Sequence, residues 1–461
     1  GDVYKRQDIN TSLGNAADPI DADQKLQEDA LMSYVASVNY SYGDKYYASF
    51  SFRRDGSSRL SPDTRWGNFW SLSASWRLSQ EKFMQSLKSV LSDLKLRASY
   101  GVNGNLPSSY YGYQSTYTTG AFYNGKPSPW ESTLGNEELT WEKNYALNLG
   151  LDIGLFSRVN VSLDWYTRTT KDLLMSKQLN SISGFSSLLT NVGQMRNTGV
   201  ELEVRSNNIK TKDFSWTTAF NLSHNKNKIL KLADLPWFVD GRYVRKEGYP
   251  FNTIYLREYA GVDPETGSAL YYDNQQDENG NYTKNKVTDP GQASPIPLKD
   301  ITPTISGGFM NTFNYKFIDL SFNLSYSFGG YSYDNASYIL QDDGYSVISN
   351  KSTEQRRRWQ KPGDITDVPR FVYGNKKGGN YNSSRAIHST DHIRLKSLIL
   401  GLNAPKAWLQ KLGIGNARIY FSGTNLLTWA AYGQYDPEMS GVVGFYTPPL
   451  KTYAFGLELK F

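Results

Sequence analysis

Cysteine is absent from the 461 residues, which removes disulfides and thiolate metal sites. Histidine is scarce, with only His224, His388 and His392. The last two stand four apart, but in a loop-to-strand segment they share no helical face, so a metal pair is not expected. No run of about 18 apolar residues occurs, which excludes a helical membrane span. A nucleophile elbow, a phosphate-cradling glycine loop and a paired-carboxylate constellation are also missing, so neither an enzyme nor a cofactor is expected. Asp277, Asn279 and Asn281 open like a calcium loop, but the downstream glutamate of an EF-hand is lacking and no metal is expected. The formal net charge of +6 is spread along the chain, a solvated surface rather than a nucleic-acid footprint. No export leader opens the sequence. Residues 2–7 back-translate to an adapter end used in sequencing libraries, so residues 1–7 are expected to be an assembly artefact and are set aside.

Aromatic residues are abundant: they make up 14% of the chain and include 34 tyrosines. In the final stretch, Tyr453, Phe455, Leu457, Leu459 and Phe461 fall on one face at period two, and Ala454, Gly456, Glu458 and Lys460 on the other. That pattern is a strand with one oily and one wet face. It recurs from residue 31 onward, at 31–42, 45–54, 66–78, 94–102, 140–152, 158–168, 197–206, 213–224, 303–315, 318–328, 391–403 and 416–427. An all-β, antiparallel transmembrane barrel uses such strands, and its polar lumen and loops make its average hydropathy look soluble.

Connections between these segments alternate short and long, as in outer-membrane barrels with periplasmic turns and extracellular loops. Thirteen crossings are an odd number, whereas bacterial single-chain barrels have an even one, so further strands are expected upstream. Residues 8–30 then read as the remnant of an extracellular loop, and 31–461 as the carboxyl-terminal part of a barrel. Within 79–93, Phe83, Leu87, Val90 and Leu91 have helical spacing, which predicts a short amphipathic helix capping a turn. Segments 253–262 and 268–272 are predicted to form an extracellular hairpin. A structural or adhesive barrel and a soluble carbohydrate-binding β protein fit the same alternation.

Several motifs carry a family resemblance. They are Ser49–Arg59, Arg65–Gly67, Leu91–Gly101, Leu139–Glu142, Asn197–Leu202, Gly261–Gly267, Arg358–Trp359 with Pro362–Asp364, Ile393–Lys396, Thr424–Leu426 and Tyr435–Glu438. In this order they resemble the SusC/RagA-like TonB-linked outer-membrane proteins along nearly the whole chain. The resemblance implies a TonB-dependent transporter: a twenty-two-stranded barrel with an amino-terminal plug and a TonB box, neither of which lies in this chain. It also implies a SusD-like surface lipoprotein over the extracellular mouth, energy from the TonB–ExbB–ExbD complex, and uptake of large nutrients, most often oligosaccharides. Outer-membrane lipid and the barrel-assembly machinery are further implied partners, the latter reading the terminal strand through Tyr453, Phe455, Leu457, Leu459 and Phe461.

Sugar recognition calls for aromatic faces beside directed hydrogen-bonding groups. The candidates are Tyr110, Tyr111, Tyr113, Tyr117 and Trp130 in one long loop, Trp237 and Phe238 in another, and Tyr345 and Tyr381 in a third. The bland alternative is that they pack the loops or meet the lipoprotein. Arg53, Arg54, Asp55 and Arg59 read as an ion-paired loop base, and Arg356, Arg357 and Arg358 as a solvated face.

Overall fold

The computed structural model describes residues 26–118, 122–124, 126–232, 236–375, 382–405, 409 and 413–461. Residues 1–7, most of 8–30 and Tyr381 lie outside them. Thirteen strands form one sheet in which each pairs antiparallel with its neighbours in sequence. They are β1 (Leu31–Tyr42), β2 (Tyr46–Ser57), β3 (Trp66–Arg77), β4 (Leu91–Asn105), β5 (Glu142–Leu155), β6 (Val159–Lys171) and β7 (Gln194–Lys210). They continue as β8 (Phe214–Lys231), β9 (Ile305–Tyr315), β10 (Ile318–Phe328), β11 (His392–Asn403), β12 (Asn416–Ala430) and β13 (Thr452–Lys460). All thirteen expected segments are present in the expected order.

The alternation sets the two faces. On β2 and β3, Tyr46, Phe50, Phe52, Trp70, Leu72 and Trp76 project outward and are exposed. Tyr453, Phe455, Leu457 and Leu459 do the same on β13, with Phe455 82% exposed. Each such side chain gains roughly 1.5–3 kcal/mol on leaving water. The opposite face is polar and cross-braced. Arg97 of β4 donates to Asp152 of β5 at 2.8 Å and to Asp164 of β6 at 2.9 Å. Arg418 of β12 donates to Asp319 of β10 at 2.6 Å.

The observed strands outrun the expected ones where alternation stops and pairing does not. At their far ends β7 and β8 still match Arg196 with Lys228 and Asn197 with Asn227. Ladder hydrogen bonds need only backbone, so polar residues carry the strands beyond the apolar band.

The connections sort by side. Residues 43–45, 78–90, 156–158, 211–213, 316–317 and 404–415 join strands at one end, and 58–65, 106–141, 172–193, 232–304, 329–391 and 431–451 at the other. The amphipathic helix expected in 79–93 is instead two 3-10 turns, Leu78–Gln80 and Lys82–Leu87, and Leu91 already belongs to β4. Phe83, Leu87 and Val90 are exposed, so no apolar surface rewards a longer helix. Glu81, between the turns, accepts from Tyr46 (2.7 Å), Lys45 (2.9 Å) and Trp76 (3.2 Å). The Tyr46 hydrogen bond, with Lys45 and Trp76, holds its carboxyl down at about 2.

The hairpin expected from 253–262 and 268–272 forms in part: Tyr259–Val262 pairs antiparallel with Ala269–Tyr272, but the first segment breaks and its start joins another sheet. Thr253–Leu256 joins a four-stranded sheet with Trp237–Asp240, Tyr243–Lys246 and Ile296–Asp300, whereas Tyr259–Val262 and Ala269–Tyr272 form a separate sheet with Lys286–Val287. Thr253–Leu256 pairs with Ile296–Asp300, a partner distant in sequence that local alternation does not specify.

The buried cores lie on the long-loop side. One gathers Leu60, Phe69, Val102, Leu139 and Trp141, a second Leu173, Met175, Ile229 and Leu232. A third holds Ile254, Leu256, Tyr333 and Ala386, and a fourth Ala269, Tyr271 and Ala293.

Candidate functional site in the loop layer

The four-stranded loop sheet has two unlike faces because its side chains also alternate. Ile254 and Leu256 enter a buried core, and Phe238 packs against the cluster that contains Ile229 and Leu232. Trp237, Val244, Lys246, Tyr255 and Pro297 line the opposite side, which walls a cleft of about 440 Å³. Its other wall is Asn274, Gln275, Gln276, Tyr282, Ser294 and Pro295. Trp237 stands opposite Lys246 in the register. The Trp237 and Tyr255 rings lie 5.9 Å apart at 51°, an open angle rather than a flat shelf. Burial raises the Tyr255 hydroxyl's pKa, and Tyr282 adds to the effect.

Backbone hydrogen bonds fix the far wall. Gln276 and Tyr282 form an antiparallel bridge. Asp277 caps the turn between them by accepting from the backbone N–H groups of Asn279 (2.9 Å) and Asn281 (2.8 Å). Those backbone bonds, led by Asn281, lower the Asp277 carboxyl below its ordinary value. The Asp277–Asn281 run is thus a turn that uses its own carboxylate.

The remaining aromatic candidates among the described residues lie elsewhere and do not line this cleft. Tyr110 sits under the Arg59 guanidinium, 4.1 Å from its carbon. The Tyr111 hydroxyl accepts from the Glu28 backbone at 3.1 Å, and that of Tyr113 from Gln114 at 3.0 Å. Tyr117 and Trp130 occupy an exposed two-stranded ladder, and Tyr345 is exposed in the 329–391 loop. Arg53 pairs with the buried Asp55, Arg59 with Asp29, and Arg54 lies over Trp66. Arg357 pairs with Glu354 and Asp367.

Two contacts join motifs that the sequence offered only separately. Arg394 and Lys396 face the Tyr435–Glu438 motif: Arg394 donates to Asp436 at 2.6 Å and to Glu438 at 3.0 Å, and Lys396 to Glu438 at 2.6 Å. The exposed Ile393 marks the outward phase, which turns Arg394 inward. The second contact clasps Asp263–Gly267 to Trp359–Asp364. Trp359 Nε1 donates to the Pro264 carbonyl at 2.8 Å, and the Gly363 N–H to the same oxygen at 2.9 Å. The histidines also have separate partners: His388 stacks on Tyr432 at 3.7 Å, and His392 Nδ1 lies 2.8 Å from the Thr390 carbonyl.

Comparison with known proteins places this geometry. Residues 1–254 match the family model "TonB dependent receptor-like, beta-barrel". TonB-dependent receptor P3 of Formosa agariphila is 33% identical, over 95% of this chain and 46% of that protein. TonB-dependent receptor SusC of Bacteroides thetaiotaomicron is 30% identical, over 95% of this chain and 45% of its own length. Among solved structures, the RagAB peptide transporter superimposes with a TM-score of 0.86 at 30% identity, covering 97% of this chain and 50% of that one. The chain spans about half the length of the curated relatives it matches.

Proposed function

The chain belongs to the TonB-dependent receptor-like β-barrel family, and from that premise we propose that its protein imports large nutrients across the outer membrane. Its relatives are transporters rather than enzymes. The observation that carries the reading is the division of the molecule into an oily-faced wall and a packed loop layer holding an aromatic-lined cleft. In this reading the outward face of β1–β13 meets outer-membrane lipid, and the loop layer faces outside. Energy comes through TonB–ExbB–ExbD. Tyr453, Phe455, Leu457, Leu459 and Phe461 present the apolar face by which the assembly machinery recognises the last strand.

The nutrient in this proposal is an oligosaccharide. Support comes from the paired aromatic rings and carboxamides of the cleft, groups suited to sugar faces and hydroxyls. A SusD-like lipoprotein completes the binding mouth. Exposed Tyr345, Ile348, Ile365, Phe445 and Tyr446 on the loops supply apolar area for such a partner. The RagAB relatives are described as a peptide transporter and a peptide importer, so peptides are the competing cargo. Cells carrying and lacking the parent locus, grown on a panel of glycans and peptides as sole nutrients, test the reading. Loss of growth on a glycan, reproduced by disrupting TonB, is the expected result. Unchanged growth on every glycan with loss on peptides overturns the glycan assignment.

A further inference from the structure

We propose that the cleft between Trp237, Tyr255 and Tyr282 is a subsite for an oligosaccharide bearing carboxylates, an inference that rests on the glycan-import reading. Three observations converge on it. First, the angled Trp237 and Tyr255 rings, 5.9 Å apart, expose apolar faces to a ligand. A pyranose presents such rings with flat C–H surface, and the exposed Gln275 and Gln276 lie within the same lining to meet hydroxyls.

Second, among the described residues Lys246 is the one charged group in that lining. Several neighbouring charges are engaged elsewhere. Lys284 pairs with Glu258, and Glu247 accepts the Leu232 backbone N–H at 2.8 Å. Lys246 rests over the Tyr249 ring, its Nζ 5.1 Å from the centroid. That ring contact leaves its ammonium without a carboxylate partner among the described residues, so an anionic ligand can supply a charge-assisted hydrogen bond.

Third, the wall is built before any ligand arrives. Asn274 is 2% exposed, holds a left-handed backbone at φ 49° and accepts from Lys284 at 3.0 Å. Gln275 donates to Ser294 at 3.2 Å. Such preorganisation lowers the ordering cost of binding. A free peptide would bring an ammonium as well as a carboxylate, and the cleft offers a cation without an anion. Uronate-containing chains bring repeated carboxylates and no ammonium.

The test is titration of the detergent-solubilised protein, followed by tryptophan fluorescence, with hexagalacturonate, maltohexaose and a hexapeptide. Hexagalacturonate is expected to bind roughly tenfold more tightly than maltohexaose, the scale of one charge-assisted contact. Lys246→Gln should bring the two affinities together, and Lys246→Arg should keep them apart. Trp237→Ala should weaken both while the far-ultraviolet dichroism stays that of the parent. An unchanged preference in Lys246→Gln, tighter binding of maltohexaose or the peptide, or no binding of any ligand overturns the proposal. Glycan-dependent growth of cells carrying the parent locus is read separately. If growth persists while the cleft fails, the import reading stands and this subsite falls.

Discussion

Trp359 lies directly against Gly267, at a distance that leaves no room for a β-carbon on the glycine. Gly267 also has φ +70°, a conformation that L side chains rarely adopt. The contact joins the 232–304 and 329–391 loops, and the Arg370 N–H reinforces it by donating to the Gly267 carbonyl at 2.9 Å. Gly267→Ala should therefore open the clasp at a cost of roughly 2–4 kcal/mol, combining backbone strain with overpacking. Faster amide exchange at Gly363 and Arg370, with β1–β13 unaffected, is the expected readout.

Arg394 is nearly buried, with 3% of its side chain exposed, and Asp436 with 7%. Removing the cation strands the buried Asp436 and leaves Glu438 to Lys396 alone, so Arg394→Ala should destabilise the 431–451 loop by about 3 kcal/mol. Replacing both partners, as Arg394→Met with Asp436→Leu, should recover part of that loss. Protease susceptibility of the loop provides the measurement, and equal susceptibility in the single and double variants would contradict the pairing.

The phase of the last strand makes a sharper contrast between neighbours. Leu457 is outward and exposed beside Glu458, one residue along. In lipid, Leu457→Arg should cost roughly 2–4 kcal/mol and Glu458→Gln little. Reversible urea unfolding in vesicles measures both, and equal costs would refute the assigned faces.

His388 carries a pH dependence. Burial lowers its pKa from the ordinary 6.5, with Asp334 opposing part of the shift. The folded ring thus resists a proton that the unfolded chain accepts. Its packing on Tyr432 is fully stable above about 6.5 and weakens as pH falls through that value toward the lower folded one. Amide protection across Ile387–Ser389, taken relative to the intrinsic exchange rate at each pH, should fall between pH 7 and 5, and His388→Phe should flatten that profile.

Period two made the wall legible, because a sheet with an oily face repeats its signature at each crossing. Strand ends were less so: at Asn225–Lys228 polar residues prolong the β7–β8 ladder without an apolar signal. The 78–90 turn misled because helical spacing says nothing about whether a surface waits for Phe83 and Leu87. In the site, Trp237 was legible as an aromatic in a loop. That Phe238 turns to a core instead follows from strand alternation, but the strand itself exists only through pairing with Tyr243–Lys246. Gln275 and Tyr282 reach Trp237 through folding of the intervening loop, and Arg394 meets Asp436 through contact between a strand and a distant loop. Neither encounter leaves a periodic trace.

The separate cores that the described residues form on the long-loop side have a consequence for how the molecule answers its surroundings. Under the outer-membrane reading proposed above, the wall owes its free energy to the thickness and composition of a hydrocarbon slab, whereas the loop layer owes its own to excluding water. Bilayer thickness and denaturant therefore act as two nearly independent controls. The loop layer can loosen, or be rewritten residue by residue, while the sheet that carries it changes little.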